Sequence, residues 1–576
     1  MFVIRTLAAE QVCGDGGAGG SGLLWLPGGS AVAASAERAA NFSFLVHYRR
    51  LLLSLGLVLL FDAVFAAAPD PYPGLARKWQ YYQSPNFELY SANSERESRD
   101  VLERMELLRA LFLDIFQLKA RLPQPVTIYY FDRQADFDGY KPLRFRGGDA
   151  RYLGFCNNFP DRTVITLAPA RDRDSAIEVI YHEYIHYLFR ITEQNPAPWF
   201  NEGVAELFST MQDDDEWLQL GQPVVGRVLE LQRGRMMPFE QLFAVGYDSP
   251  VFKDRSHSGM FYAQSWAFLH YCYFGVNKIP PDKMSLFLRI AGSSEIQRNP
   301  ELFRSVCGDL LGLDYAGLMR EMERYILRGR FQGRKAKRPA ITPRQEYSVR
   351  SAAREEMQVR LAELSLRMTE SPYANLLVRE RLEKAPEARL RELMGAVALI
   401  AQEPDIAREH WNAAVELGTS NAAIFRELGR LETSAIFRQF DLDYRMPEKR
   451  AAYLRALLQK AVECAPEQSL GYEMLAWVEA LSGKPDIASL NRIQARFSTL
   501  NEKAQTLLAL VIVRLRLGQN DEALQMLDQL DRFKPDDWTL FGAELTRARL
   551  EGRPVDRERL PKRAAPGVRP MVTLPH

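Results

Sequence analysis

His182, Glu183 and His186 are the residues best placed to do chemistry in this chain of 576. They stand in the segment His182-Glu183-Tyr184-Ile185-His186, inside an apolar run patterned as a helix over residues 176–189. Residues four apart on a helix share a face, so the two imidazoles can point at one ion. Glu183 lies one step round and can reach a water bound to that ion. Two nitrogen ligands and a carboxylate that takes a proton are what a catalytic zinc site needs. Such a zinc has three protein ligands and an open position, so a third ligand has to come from another element.

The segment Pro196-Ala-Pro-Trp-Phe-Asn-Glu-Gly-Val-Ala-Glu-Leu-Phe208 supplies a candidate. Its prolines mark a turn, and Asn201 is placed to cap the N-terminus of a second helix. Glu202 then falls in the first turn of that helix. Fifteen residues separate it from His186, enough to end one helix and begin another. A carboxylate there completes a His-His-Glu set. Glu206 lies four residues on, on the same face, where it can accept the second N–H of a ligating histidine.

With these residues the chain resembles the gluzincin metallopeptidases, and most closely the peptidase MA-like family of secreted bacterial proteins. HEYIH followed by WFNEGVAELF carries the likeness, and aminopeptidases of that clan have a similar W-L-N-E-G segment. A third stretch, Phe261-Tyr-Ala-Gln-Ser-Trp-Ala-Phe-Leu-His270, is similar to the helix that follows the zinc helices in the peptidase MA-like family. The resemblance covers about residues 80–330. It implies a zinc cofactor, peptide hydrolysis with Glu183 as general base, and a transition-state donor at Tyr262. His270, two helical turns beyond Tyr262, is a candidate for the same cleft. The resemblance also implies that residues 162–167, just before the zinc helix, form an exposed sheet edge that pairs with an extended substrate. The aminopeptidase segment G-x-M-E-N is absent before the zinc helix, which argues against that specificity. Plain structural alternatives stand beside each assignment: packed helix histidines, a surface or cap carboxylate at Glu206, a core tyrosine at Tyr262, a satisfied core histidine at His270.

The elements that must position these groups follow from pattern. Residues 86–90, 125–131, 152–156 and 163–167 read as strands, and residues 95–118 as a long amphipathic helix. Strands leading into helices predict an α+β zincin-like domain over residues 69–330. A basic, breaker-rich stretch at residues 331–346 reads as a linker. Residues 347–551 are almost entirely helical in pattern. Leu481-Ser-Gly-Lys-Pro-Asp-Ile-Ala488 is echoed by Arg516-Leu-Gly-Gln-Asn-Asp-Glu-Ala523, thirty-five residues on between Gly483 and Gly518. That period resembles tetratricopeptide repeats and implies an all-α TPR-like solenoid. Ala407, Ala488 and Ala523 suit the close approach of paired helices. Such an array either docks a peptide or protein partner or buttresses the peptidase-like domain.

The ends bound the setting. Residues 1–44 read as a non-native or disordered extension, with translation starting near Leu45 or Val46. Residues 45–66 have the basic start and short apolar stretch of a signal peptide, with cleavage after Ala66. The expectation is an exported protein, periplasmic or extracellular, with an uncleaved membrane anchor as the alternative. Residues 552–576 are rich in Pro and Arg and read as a disordered tail. Lys plus Arg number 74 against 73 Asp plus Glu, a net charge of +1 that argues against a dedicated nucleic-acid binder. The five cysteines have no metal-ligand spacing and suggest no disulfide framework. The functions in view are therefore a secreted zinc peptidase acting on peptides or proteins, a zinc amidase acting on cell-wall peptides, and a catalytically silent scaffold.

Overall fold

The computed structural model describes residues 72–122, 124–145, 152–169, 173–213, 216–252, 255–275, 279–291, 299–433, 441–533 and 535–556. The expected extension, the signal peptide, Cys13 and most of the tail lie outside the described residues. Among the described residues no helix is long and apolar enough to cross a membrane.

Strands β1 (Gln80–Gln83), β2 (Phe87–Ser91), β3 (Val126–Tyr130), β4 (Gly154–Asn158) and β5 (Thr163–Leu167) belong to a six-stranded mixed sheet. Its order is β4-β5-β3-β2-β1, closed at the far end by Ser348–Ser351. β3 runs parallel to β2 and β5, whereas β4 is antiparallel to β5. β5 is thus an interior strand, and the edge on the site's side of the sheet is β4. This corrects the expected substrate rail at residues 162–167. β5 is buried along its whole length, as suits a strand paired on both sides and covered on both faces.

Side chains alternate across the sheet. Leu89, Ile128 and Ile165 face a core shared with helices α1 (Glu95–Ile115) and α2 (Arg173–Ile191). A capping box between Ser94 and Glu97 starts α1, and its buried face carries Val101, Met105, Leu108 and Phe112. Phe112 meets Phe189 of α2 edge to face at 5.0 Å. On the opposite face, Tyr90, Tyr129 and Val164 pack against Met357, Leu361, Val378 and Leu390. Those residues come from the helices Arg354–Thr369, Pro372–Lys384 and Ala388–Ile400. The helical half therefore begins as the second cover of the sheet.

The stretch read as a linker is built into the fold. Arg334–Lys337 pairs with Trp217–Leu220, which in turn pairs with Gln212–Asp213. Its basic side chains are mostly exposed, and charge is compatible with an edge strand whose side chains reach water.

Beyond residue 400 the chain continues as helix–turn–helix pairs. Gly483 and Gly518 fall in equivalent turns, after Ser469–Leu481 and Lys503–Arg516. Close approach is real between Ala388–Ile400 and Pro404–Glu416, where a Cβ on Gly395 would meet the Trp411 ring at 2.3 Å. Ala407 and Ala523 are buried as expected. Ala488 is exposed, and its neighbour Ser489 is buried instead. The turn before Ile487 is longer than the one before Asn520, so the helix starts later and its inward face shifts.

The array is fastened to the sheet domain by polar groups. Asp161, beside β5, is held by Arg367 through both carboxylate oxygens. Arg162 reaches Glu392 at 2.9 Å. Glu193, just past α2, accepts from Ser469 N and Oγ, capping the helix Ser469–Leu481. These contacts supply the buttress of the two readings of the repeats.

Candidate metal centre

α2 carries His182 and His186, four residues apart, and helix α3 (Pro198–Ser209) carries Glu202. α3 starts four residues earlier than an Asn201 cap would set it. Ala197 takes the cap position and Pro198 opens the helix, because proline's fixed φ suits the first helical residue and its missing N–H is not needed there. Asn201 is freed for a different task. Its Oδ1 lies 2.9 Å from His186 Nδ1.

The three expected ligands converge. His182 Nε2 and His186 Nε2 lie 3.1 Å apart, and each is 3.3 Å from Glu202 Oε2. A tetrahedral zinc with bonds of about 2.0–2.1 Å has ligand–ligand edges of about 3.3 Å. Glu202 is 0 % exposed, and neither of its carboxylate oxygens has a hydrogen-bond partner. Stripping a carboxylate of water without a bonded partner is costly, so a donor set of this shape and chemistry fits a zinc ion. Among the described residues, these three are the group of His, Cys, Asp and Glu able to hold a metal.

Charges in the cluster lean on one another. Burial opposes charge on both groups but is outweighed. Glu202 holds the His186 ring well above its usual pKa, and His186 and His182 hold the Glu202 carboxyl low. Glu183 is different. Burial pushes its carboxyl up, and the two histidines only partly offset this. Its Oε1 is buried without a partner. A carboxylate with a raised pKa beside the ligands is suited to accept a proton.

Glu206 stands behind His182, with Oε1 3.6 Å from Nδ1. That separation is an ionic approach and is too long for a hydrogen bond. The same oxygen takes two bonds from Arg227, at 2.6 and 3.1 Å. Arg227, on helix α4 (Val225–Arg233), lies 5.0 Å from the centre of the Tyr262 ring. Tyr262, on helix α5 (Arg255–Phe274), is half-buried. Burial pushes its hydroxyl above the usual range, and the charges of Glu202, Arg227, Glu183 and Glu206 all act on it. It stays a protonated donor near the cluster. Gly203 explains how α5 comes so near, since a Cβ there would sit 2.7 Å from the Ser265 carbonyl oxygen.

His270 does not join the site. Its Nε2 lies 2.8 Å from the Gly221 carbonyl and its Nδ1 2.6 Å from the Tyr325 hydroxyl. Both ring nitrogens are used, and burial lowers its pKa to about 4. It is a neutral core histidine among Trp266, Phe274 and Phe331. Two turns along α5 point the same way as Tyr262 only roughly, and here the neighbouring strand and helix claim the ring. The residues that sequence reasoning missed are Asn201 in its actual role, Arg227 and Tyr247. Asn201 carried a signal, standing one residue before Glu202. Arg227 and Tyr247 carried none, because only tertiary contacts bring them to the cluster. Cys156, Cys272, Cys307 and Cys464 are free thiols, and the first three are buried.

The chain matches no protein-family model and no curated protein.

Proposed function

We propose that this chain is an exported zinc metallopeptidase of the gluzincin type, with a TPR-like helical half. The observation that carries the reading is the convergence of His182, His186 and the buried Glu202 carboxylate at tetrahedral edge lengths. When bound, zinc would make a water acidic near neutral pH and polarise a substrate carbonyl. The protein's own groups divide the remaining work. Glu183 accepts the proton of the attacking water and passes it to the leaving nitrogen. Tyr262, kept protonated, donates a hydrogen bond to the oxygen that gains charge. Among the described residues β4 ends the sheet on this side, where an extended peptide can align. The helical half braces the end of α2 through Glu193 and Ser469, and its remaining surface is available to a protein partner.

Two measurements test the reading. Elemental analysis of the purified protein should find about one zinc per chain; metal-free protein at neutral pH, after zinc is offered, overturns it. A peptide-library digest should show cleavage by the wild type and none by Glu183→Gln, with zinc retained by both. Zinc uptake without cleavage of any peptide would turn the reading to a silent scaffold or to an amidase of other substrates.

A further inference from the structure

We infer that Tyr247 is a positioning residue that fixes which end of the Asn201 amide faces His186, and through it the orientation of that ring for a metal. The inference rests on His186 serving as a metal ligand. Tyr247 follows the short helix Phe239–Ala244 and is half-buried. Its hydroxyl donates to the Pro196 carbonyl at 3.3 Å and accepts from Asn201 Nδ2 at 2.8 Å. Asn201 Oδ1 in turn faces His186 Nδ1 at 2.9 Å.

The direction of this chain is dictated from its far end. A carbonyl oxygen can only accept, so the Tyr247 O–H points at Pro196. Its lone pair must then receive an N–H, and the Asn201 amide nitrogen supplies it. That orients the amide so that Oδ1, an acceptor, is the atom facing His186. Only Nδ1–H satisfies it. His186 Nε2 is then the nitrogen that faces His182 Nε2 and Glu202 Oε2, the side on which a ligating lone pair is needed once a metal binds. Without the hydroxyl, nothing in this chain of bonds distinguishes the two ends of the Asn201 amide. A half-turn of that amide would present N–H₂ to Nδ1 and favour the proton on Nε2, where it blocks ligation. Partners behind ligating histidines generally contribute ten- to hundred-fold in metal affinity.

Tyr247→Phe removes one oxygen and keeps the ring. Zinc affinity, read by competition with a chromophoric chelator, should fall about ten-fold or more. Asn201→Asp provides the rescue. Both of its oxygens accept, so orientation no longer matters, and adding Tyr247→Phe to it should cost no further affinity. A tyrosine that merely packs would lose the same affinity in either background, and that result overturns the inference. So does an unchanged zinc affinity in Tyr247→Phe. If the wild type takes up no zinc, the proposed function fails and this inference with it; zinc uptake by the wild type with unchanged affinity in Tyr247→Phe overturns this inference alone.

Discussion

Replacing Glu473 with glutamine probes the cost of a buried charge inside the helical half. Glu473 lies buried on the helix Ser469–Leu481, whose start is capped by Glu193. Its Oε1 accepts from the backbone N–H groups of Asn501 and Glu502 at 3.0 and 2.9 Å. Burial pushes its carboxyl up to about 7, and the Glu193 and Glu502 charges add to the rise against the two backbone donors. An ordinary glutamate titrates near 4.5, so the folded state holds this proton more tightly than the unfolded chain. Stability is therefore greatest below the unfolded value, falls as pH rises from 4.5 to 7, and carries the full penalty above that window. At about 1.4 kcal/mol per pKa unit, the penalty is about 3 kcal/mol at pH 8. Glu473→Gln keeps the acceptor oxygen and cannot ionise. Urea unfolding of this region can be followed by the fluorescence of Trp477, on the same helix, which packs on Trp538 at 5.3 Å. The variant should be more stable than wild type by up to about 3 kcal/mol at pH 8, and by a small fraction of that at pH 5. A variant no more stable at pH 8, or one with the same advantage at both pH values, would refute the reasoning.

Other substitutions divide the site from its surroundings. Arg227→Met leaves the buried Glu206 carboxylate without its cation and should cost about 3–5 kcal/mol in denaturant unfolding. Tyr262→Phe should lower peptide turnover by about 10²-fold or more with zinc content unchanged in elemental analysis; lost zinc or lost folding would make it a packing tyrosine. His270→Phe strands the Gly221 carbonyl and the Tyr325 hydroxyl, which should cost about 1–3 kcal/mol for each group, while zinc binding measured by chelator competition stays at the wild-type level.

The site was legible to different depths. His182, His186 and Glu202 could be read together because helical spacing is local, and a second helix within fifteen residues leaves little freedom in where Glu202 can go. Glu206 followed by the same periodicity. Asn201 was legible as a polar group at a helix start, but its partner was not, since Pro198 moved the start and turned the side chain towards His186. His270 shows the opposite failure. Its place on α5 was right, yet a helix face is too broad to say whether a ring meets a cleft or a buried carbonyl.

Sheet order was similarly divided. The strands themselves were visible in their alternation and β-branched content, but their neighbours depend on crossings that no single strand encodes. That is why residues 163–167 proved interior and Gly154–Asn158 the edge. The linker expected at residues 331–346 gained a strand because Trp217–Leu220 offered it a pairing edge.

Local chemistry, then, was written in the sequence: helix periods, turn residues and the ligand types of a metal site depend on neighbours a few residues away. Tertiary structure alone decided which helices cover the second face of the sheet, which strand lies at its edge, and which distant side chains stand behind each ligand. Arg227 and Tyr247 reach the cluster across 21 and 46 residues of chain. Contacts at that range are settled by packing and by the need to pair every buried polar group, and no periodicity in the sequence records them.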